Sequence, residues 1–386
     1  MTNFFNLMDQ KYRASNPPKN YSITKVKENL ENQYDRLFEA KTEDKNSEYI
    51  YNTFESPYFS NSTIKSKRKI RIQAEIESLD DLIQMIDDNP ITSNVEYEID
   101  MEPLYKIKPD LIKLNRMVGM KSLKNNVVDQ ILYFSQKFMN DSDGDFMHTV
   151  IYGPPGTGKT EIAKIIGKIY SRLGVLHKNK FKKATRSDMI AGYLGQTAIK
   201  TRDLIKECLG GVLFIDEAYA LGNAEGRDSF SKEAIDTLCE ALSDHKDNLM
   251  VIIAGYEQEL KNCFFNYNKG LESRFTWRFK TDDYNANELR QIFEKKVVDA
   301  GWKLKESAGD DWFEENLDYF KYYGRDMETL FCKTKIAHSR RVFCLPQEDK
   351  QKITKADLDK GLEAYLANDE VRNRKERVEN FGNIYS

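Results

Sequence analysis

One octapeptide restricts the folds open to this chain more than any other feature: Gly153-Pro154-Pro155-Gly156-Thr157-Gly158-Lys159-Thr160. It follows an apolar, strand-like run over residues 146–152. It precedes a stretch with Ile162, Ile165, Ile166, Ile169 and Leu173 at helical spacing, which Gly174 stops. A glycine-rich turn at a strand-to-helix junction lets backbone N–H groups close around phosphate oxygens, and the helix N-terminus adds the positive end of its dipole. In that frame Lys159 reaches the β- and γ-phosphates of ATP and the Thr160 hydroxyl ligates Mg²⁺. The competing reading is a chance glycine turn, which the strand–loop–helix context disfavours.

A second element points the same way. Val212-Leu213-Phe214-Ile215 is an apolar strand that ends in Asp216-Glu217. An acid at the carboxyl end of such a strand can complete a Mg²⁺ shell, the role assigned to Asp216, and the next acid can polarise an attacking water, the role assigned to Glu217. The bland alternative is an acidic pair that only caps the following helix.

The apolar run at residues 250–254, and a helix between it and the first strand with Ile235, Leu238 and Leu242 on its inner stripe, continue the alternation. Strands alternating with helices of this length predict an α/β fold with a parallel, helix-covered sheet. After Lys280 the pattern is purely helical, with Asn285 and Glu288 as a capping-box start, helices over 312–323 and 326–342, and a further one capped by Thr354 with Asp357. Upstream, Ile70, Ile72, Ala74 and Ile76 alternate like a strand, Leu79, Leu82, Ile83 and Ile86 have helical spacing, and Val95, Tyr97 and Ile99 alternate again. These predict a small βαβ-like unit, followed by a linker marked by Pro103 and Pro109. The expected organisation is an N-terminal region 1–66 with a helix over 23–38, an α+β element and linker 67–112, a nucleotide-binding core 113–280, a helical lid 281–370 and a charged tail 371–386.

Composition narrows the function classes. A formal net charge of -3 argues against a dedicated polyanion binder, which is usually strongly basic. The run Lys65, Lys67, Arg68, Lys69 and Arg71 reads as linker charge ahead of a nucleic-acid patch. No apolar run approaches the roughly 18 residues needed to cross a bilayer, so a cytoplasmic protein without membrane contact is expected. Cys208, Cys239, Cys263, Cys332 and Cys344 form no CxxC pair and read as reduced thiols, and His148, His177, His245 and His338 are dispersed and read as structural or surface residues.

With these motifs in place the chain resembles the AAA+ ATPases. Residues 118–277 are similar to the CbbX (red-type rubisco activase) and stage V sporulation protein K group. The residues that carry the likeness are Arg186-Ser187-Asp188, Ala191-Gly192-Tyr193-Leu194-Gly195-Gln196-Thr197, the run from Gly210 to Leu221, Lys232-Glu233-Ala234-Ile235-Asp236-Thr237-Leu238 and Ala254-Gly255-Tyr256. The likeness thins through the lid and is absent before about residue 110.

The resemblance implies an AAA+ P-loop NTPase core with a helical lid, assembled as a homo-oligomeric ring, with a hexamer expected, that hydrolyses ATP and pulls on a protein. It implies that Val118 and Gly119 lie against adenine, that Tyr193 and Leu194 grip a threaded polypeptide, and that Arg274 serves as an arginine finger to the neighbouring subunit. Two departures stand out. Gly255-Tyr256 replaces the polar residue that the wider family carries after that strand, so no sensor role follows there. Met327 occupies the lid position where the family carries an arginine, and Arg325 is the residue that could take over at a different helical angle. A DNA-directed loader and a nucleotide-gated scaffold are the alternatives to a protein-remodelling motor.

Overall fold

Apolar runs without polar alternation need cover on both faces, and a parallel sheet between helices supplies it. The computed structural model describes residues 68–136, 145–193, 195–222, 228–346, 350–372 and 374, all in one compact unit. The helix expected over 23–38 and the rest of region 1–66 lie outside the described residues, as does Leu194. In chain order the first elements are β1 (Arg68–Ile70), α1 (Leu79–Asp88), β2 (Val95–Tyr97), α2 (Met101–Asn115) and α3 (Lys121–Ser135). The core continues with β3 (Thr149–Tyr152), α4 (Lys159–Arg172), β4 (Phe181–Ala184), α5 (Thr197–Cys208), β5 (Val212–Ile215), α6 (Ser229–Asp244), β6 (Met250–Gly255) and β7 (Trp277–Lys280). The lid holds α7 (Ala286–Asp299), β8 (Lys303–Leu304), α8 (Tyr323–Val342), β9 (Lys352–Ile353) and α9 (Lys355–Leu366), and shorter helical turns lie between these elements.

Strands β4-β5-β6-β3-β7 form one sheet, every pairing parallel. The expected α/β class therefore holds. Successive side chains of a strand face opposite ways. Ile151, Phe214, Ile252 and Phe279 join α1, α2, α3 and α4 in one core, and Val150, Leu213, Ile215, Val251 and Ile253 join α5 and α6 in another. The lid has its own core around Leu289, Phe293, Phe313, Phe320, Met327 and Leu330. No described helix is long and apolar enough to cross a membrane. His148 is structural: its Nε2–H donates to the Leu242 carbonyl at 3.0 Å, and Nδ1 accepts from the Val251 N–H at 3.1 Å. Burial pushes its imidazole down to about 4, with the Arg274 charge adding to the shift.

Several expectations change. The stretch expected to be a linker is helix α2, capped by Asp100, whose carboxylate accepts from the Glu102 N–H. Pro103 sits in the first turn, where a missing N–H costs nothing. Pro109 lies inside the helix and removes one bond. Burial of Leu104, Ile107, Leu111 and Leu114 and the 2.7 Å Arg172–Asp110 ion pair offset that loss. Residues 68–115 consequently pack into the same core as the sheet and α4 instead of standing apart from it. The strand expected over 70–76 ends at Ile70, because its ladder with β2 is three residues long, yet Ile72 and Ile76 still pack on the core.

In the lid, 312–323 is not one helix. Asn316 Nδ2 takes the Trp312 carbonyl at 2.7 Å, the acceptor that a continuing helix would need, and the chain breaks into turns at Asp310–Glu315 and Leu317–Tyr319. The lid is not purely helical either, since β8 and β9 pair in parallel. It also runs past residue 370: Val371 is buried in its core, and Arg374 bonds Asp326 at 3.0 Å.

The Asp357 carboxylate is buried, which alone would raise its pKa. Hydrogen bonds from Arg341, His338 and Thr354 more than offset this and hold it well below the usual carboxylate range. A depressed folded value adds stability above the unfolded value of about 3.9 and loses it as pH falls through the acid range. Asp357→Asn is expected to destabilise the lid by about 3 kcal/mol, because Arg341 and His338 lose their buried anion. Scanning calorimetry should show a lower lid transition at neutral pH and a smaller mutant–wild-type gap below about pH 3.

Candidate active site

Register decides which residues meet. Tyr152 pairs with Gly255 on one side and Lys280 on the other, and Ile215 pairs with Ile253. The residues just past these carboxyl ends, Gly153, Asp216, Tyr256 and Thr281, therefore gather at one edge of the sheet, where open parallel sheets bind ligands.

The loop after β3 is built against its neighbours. Gly153 donates its N–H to the Gly255 carbonyl at 3.1 Å, and the Thr281 N–H donates to the Tyr152 carbonyl at 2.9 Å. Two glycines are required by close approach. At Gly153 a Cβ would stand 1.8 Å from Thr281 Oγ1, and at Gly156, with φ +80°, it would stand 2.0 Å from the Tyr322 carbonyl oxygen. The Thr157 hydroxyl donates to the Pro154 carbonyl at 2.9 Å, the Thr281 hydroxyl to Thr157 Oγ1 at 3.1 Å, and the Tyr284 hydroxyl to the Thr157 carbonyl at 3.3 Å. Pro154 and Pro155 add fixed φ to a loop already tied from three sides. Gly158, at φ +85°, begins α4 and points the helix N-terminus into the loop. Lys159 Nζ donates to the carbonyls of Gly153 at 2.9 Å and Pro154 at 2.7 Å. Burial pushes its ammonium down, Asp216 and Glu217 oppose this, and Arg325 adds to it.

Thr160 Oγ1 lies 3.2 Å from Asp216 Oδ2, so the hydroxyl and the carboxylate proposed from sequence stand side by side. Glu217 follows as an exposed residue at φ +51°. A residue missed in the sequence joins them: Lys183 of β4, whose Nζ contacts the same Asp216 Oδ2 at 2.6 Å. The visible signal was a lysine one residue before the end of β4, but only the Lys183–Phe214 register brings it to Asp216.

The lid closes one side. Gly119, at φ +66°, is wedged so that a Cβ would stand 2.8 Å from Glu288 Oε1 and 3.0 Å from Tyr284, and a Cβ on Gly158 would meet Met117 at 3.1 Å. Residues 117–119, including Val118, thus run between the loop and the first lid helix. The start of α8 docks on the loop through the Gly324 N–H, which donates to the Gly156 carbonyl at 3.1 Å. Met327 is fully buried in the lid core, whereas Arg325 is exposed and near enough to Lys159 for its charge to be felt there.

Arg274 stands elsewhere. Its Nε donates to Ser243 Oγ at 2.6 Å and its guanidinium to the Gly270 carbonyl at 2.7 Å, and its charge reaches His148. His148 precedes β3, and five residues at about 3.3 Å each put it roughly 16 Å from Gly153. Tyr193 is 75% exposed on the loop before α5.

Comparison with known proteins defines the class. Residues 149–280 match the family model described as "ATPase family associated with various cellular activities (AAA)", and the chain carries an AAA ATPase domain, a nucleotide-binding P-loop fold. Its relatives include the CbbX and stage V sporulation protein K group. It is 42% identical over 247 residues to a putative cfxQ-like protein of Acanthamoeba polyphaga mimivirus, covering 63% of this chain and 61% of that one. It is 38% identical over 204 residues to stage V sporulation protein K of Bacillus subtilis, covering 51% and 62%. It is 43% identical over 169 residues to the ESX-1 secretion system protein EccA1 of Mycobacterium leprae, covering 43% and 29%. The match thus spans about three fifths of the length of the first two relatives and under a third of the last. Among solved structures, the FIGL-1 AAA domain in complex with ADP aligns over 64% of this chain and 82% of that one, with 20% identity and a TM-score of 0.48.

Gly156→Ala is expected to displace residues 322–325 from the loop, since its methyl group would collide with the Tyr322 carbonyl and its φ would be strained. Nucleotide affinity measured by calorimetry should fall at least about tenfold, a loss of about 1.4 kcal/mol. Unchanged affinity would show that the lid contact is dispensable.

Proposed function

We propose that the chain hydrolyses ATP with Mg²⁺ in a homo-oligomeric ring, a hexamer by resemblance, and uses the cycle to pull on a protein substrate. The observation that carries this reading is the convergence of Lys159, Thr160, Asp216 and Glu217 at one strand-end edge beside a loop too tight for any Cβ at Gly153 or Gly156. A hydroxyl next to a carboxylate is a hard-oxygen donor set that fits Mg²⁺. When bound there, Mg²⁺ supplies charge neutralisation to the phosphates, and Thr160 and Asp216 are the residues that would hold it. Loop N–H groups and Lys159 bind the β- and γ-phosphates. Glu217 accepts a proton from the water that attacks the γ-phosphate, leaving ADP and inorganic phosphate. Residues 117–119, with Val118 and Gly119, and the lid bracket the base, and Arg325 adds positive charge from the lid side.

Arg274 supports action between subunits. Its guanidinium is held near His148, at the opposite end of β3 from its own loop, which suits it on this reading to serve the site of a neighbour. The exposed Tyr193 ring, with the adjoining Leu194, suits a broad, sequence-tolerant grip on a threaded polypeptide.

Glu217→Gln is expected to bind ATP normally while hydrolysing it at least about 100-fold more slowly, the usual contribution of a general base. Steady-state phosphate release beside calorimetric affinity checks both halves, and near wild-type turnover would remove Glu217 from the mechanism. A mixing experiment addresses the ring. Arg274→Ala and Lys159→Ala should each be inactive alone, yet recover part of the ATPase when mixed, because an intact Arg274 on a Lys159→Ala subunit serves a neighbouring Arg274→Ala site. No recovery in mixed rings verified by native mass spectrometry would exclude a finger acting between subunits.

A further inference from the structure

Helix α8 meets the phosphate loop end-on. The Gly324 N–H donates to the Gly156 carbonyl at 3.1 Å, and a Cβ on Gly156 would stand 2.0 Å from the Tyr322 carbonyl oxygen. A turn this close to the loop has to be held in place, yet Tyr322, which precedes the helix, caps it with no side-chain bond. Its N–H donates instead to Asp326 Oδ2 at 2.7 Å, one turn into α8. That carboxylate is buried, and a buried anion needs a cation. Arg374 supplies it from beyond α9. Its Nη1 lies 3.0 Å from the same Asp326 Oδ2, 2.9 Å from the Tyr319 carbonyl and 3.2 Å from the Tyr365 hydroxyl. The guanidinium also stands 4.5 Å from the centroid of the Tyr322 ring, and the Arg374 side chain is only 14% exposed.

We infer that Arg374 is a positioning residue for nucleotide binding: through Asp326 and Tyr322 it holds the 322–325 turn against Gly156 of the phosphate loop. Its hydrogen bonds all go to lid residues, so it acts on the loop through others. Arg374 neutralises Asp326, Asp326 fixes the Tyr322 N–H, and the turn that begins at Tyr322 closes on Gly156. Tyr365 belongs to α9, so the same guanidinium locks the start of α8 to the segment that follows α9. An arginine suits the place, because one planar group serves a carboxylate, a carbonyl, a hydroxyl and an aromatic face together. Arg374 follows Asp326 by 48 residues, and no local sequence pattern joins them. The affinity of the phosphate loop therefore depends on a side chain in the segment that the sequence reads as a charged tail.

Arg374→Gln in the full chain leaves Asp326 buried without its cation and frees the turn. Apparent affinity scales with the docked fraction, so a docked population reduced to about one tenth raises the Kd about tenfold. Calorimetry with a non-hydrolysable ATP analogue and Mg²⁺ is expected to show that loss. KM for ATP should rise in the same proportion, with kcat within about twofold of wild type. Arg374→Lys should lose about threefold in affinity, because it keeps the charge and gives up the planar fork. The discriminating measurement is a double-mutant cycle with Gly156→Ala, in which the docking contact is already lost. In that background Arg374→Gln should still lower the lid's melting temperature, as it does alone, but cost no further affinity. Should Arg374→Gln fail to fold, Arg374→Lys carries the same cycle. Wild-type affinity in Arg374→Gln overturns the inference. So does an undiminished loss in the Gly156→Ala background, which would make Arg374 a general support of the lid. Unchanged affinity in Gly156→Ala alone would remove the docking contact from binding, and this inference with it.

Discussion

The parallel pairing of β3 between β6 and β7 is the constraint on which the rest depends. A four-residue strand fixes its register through main-chain bonds to both neighbours, and a shift of one residue would exchange its two faces. Because Tyr152 aligns with both Gly255 and Lys280, the phosphate loop leaves the sheet beside Thr281 and Tyr256 and one strand away from Asp216. Thr281 is buried, and its hydroxyl ties the loop from the β7 side. The loop is thus shaped by the sheet before any ligand arrives, which reduces the ordering that binding must supply.

The segments flanking the core are drawn into the same site. Helix α2 carries Asp110 and Lys113 to Arg172 and Glu161 of α4, the helix that opens with Lys159. The chain then passes directly into residues 117–119, against Gly158 and Gly119's lid partners Tyr284 and Glu288. On the other side, Tyr322, Gly324 and Arg325 bring the start of α8 to Gly156. Tyr323 holds a left-handed conformation there, supported by its ring contact with Tyr284 at 5.4 Å and its hydroxyl bond to Asp283 at 2.7 Å. Both the upstream helices and the lid therefore reach the loop by direct contact, which gives movement at either a physical path to the nucleotide.

The cations around the site stand in different places. Lys159 lies against the loop carbonyls, Lys183 on Asp216, Arg325 at the lid side and Arg274 at the far end of β3.

The loop, the acidic pair and the α/β class were legible in the chain, because each is written in consecutive residues: glycines at fixed spacing, an apolar strand ending in Asp216-Glu217, and helices at 3.6 periodicity. Local chemistry also settled caps such as Asn285 with Glu288 and Thr354 with Asp357, both present as reciprocal hydrogen bonds. What it misread were places where packing overrides local preference. Pro109 inside α2 is tolerated because five apolar residues of that helix are buried, and residues 312–323 break where a side-chain amide takes a backbone carbonyl. Tertiary packing was needed to show that Lys183 meets Asp216 and that Thr281 and Tyr284 bind the loop. Those contacts join residues that strand register and chain reversal bring together, and neither register nor the missing volume of one glycine is encoded in the spacing of any single motif.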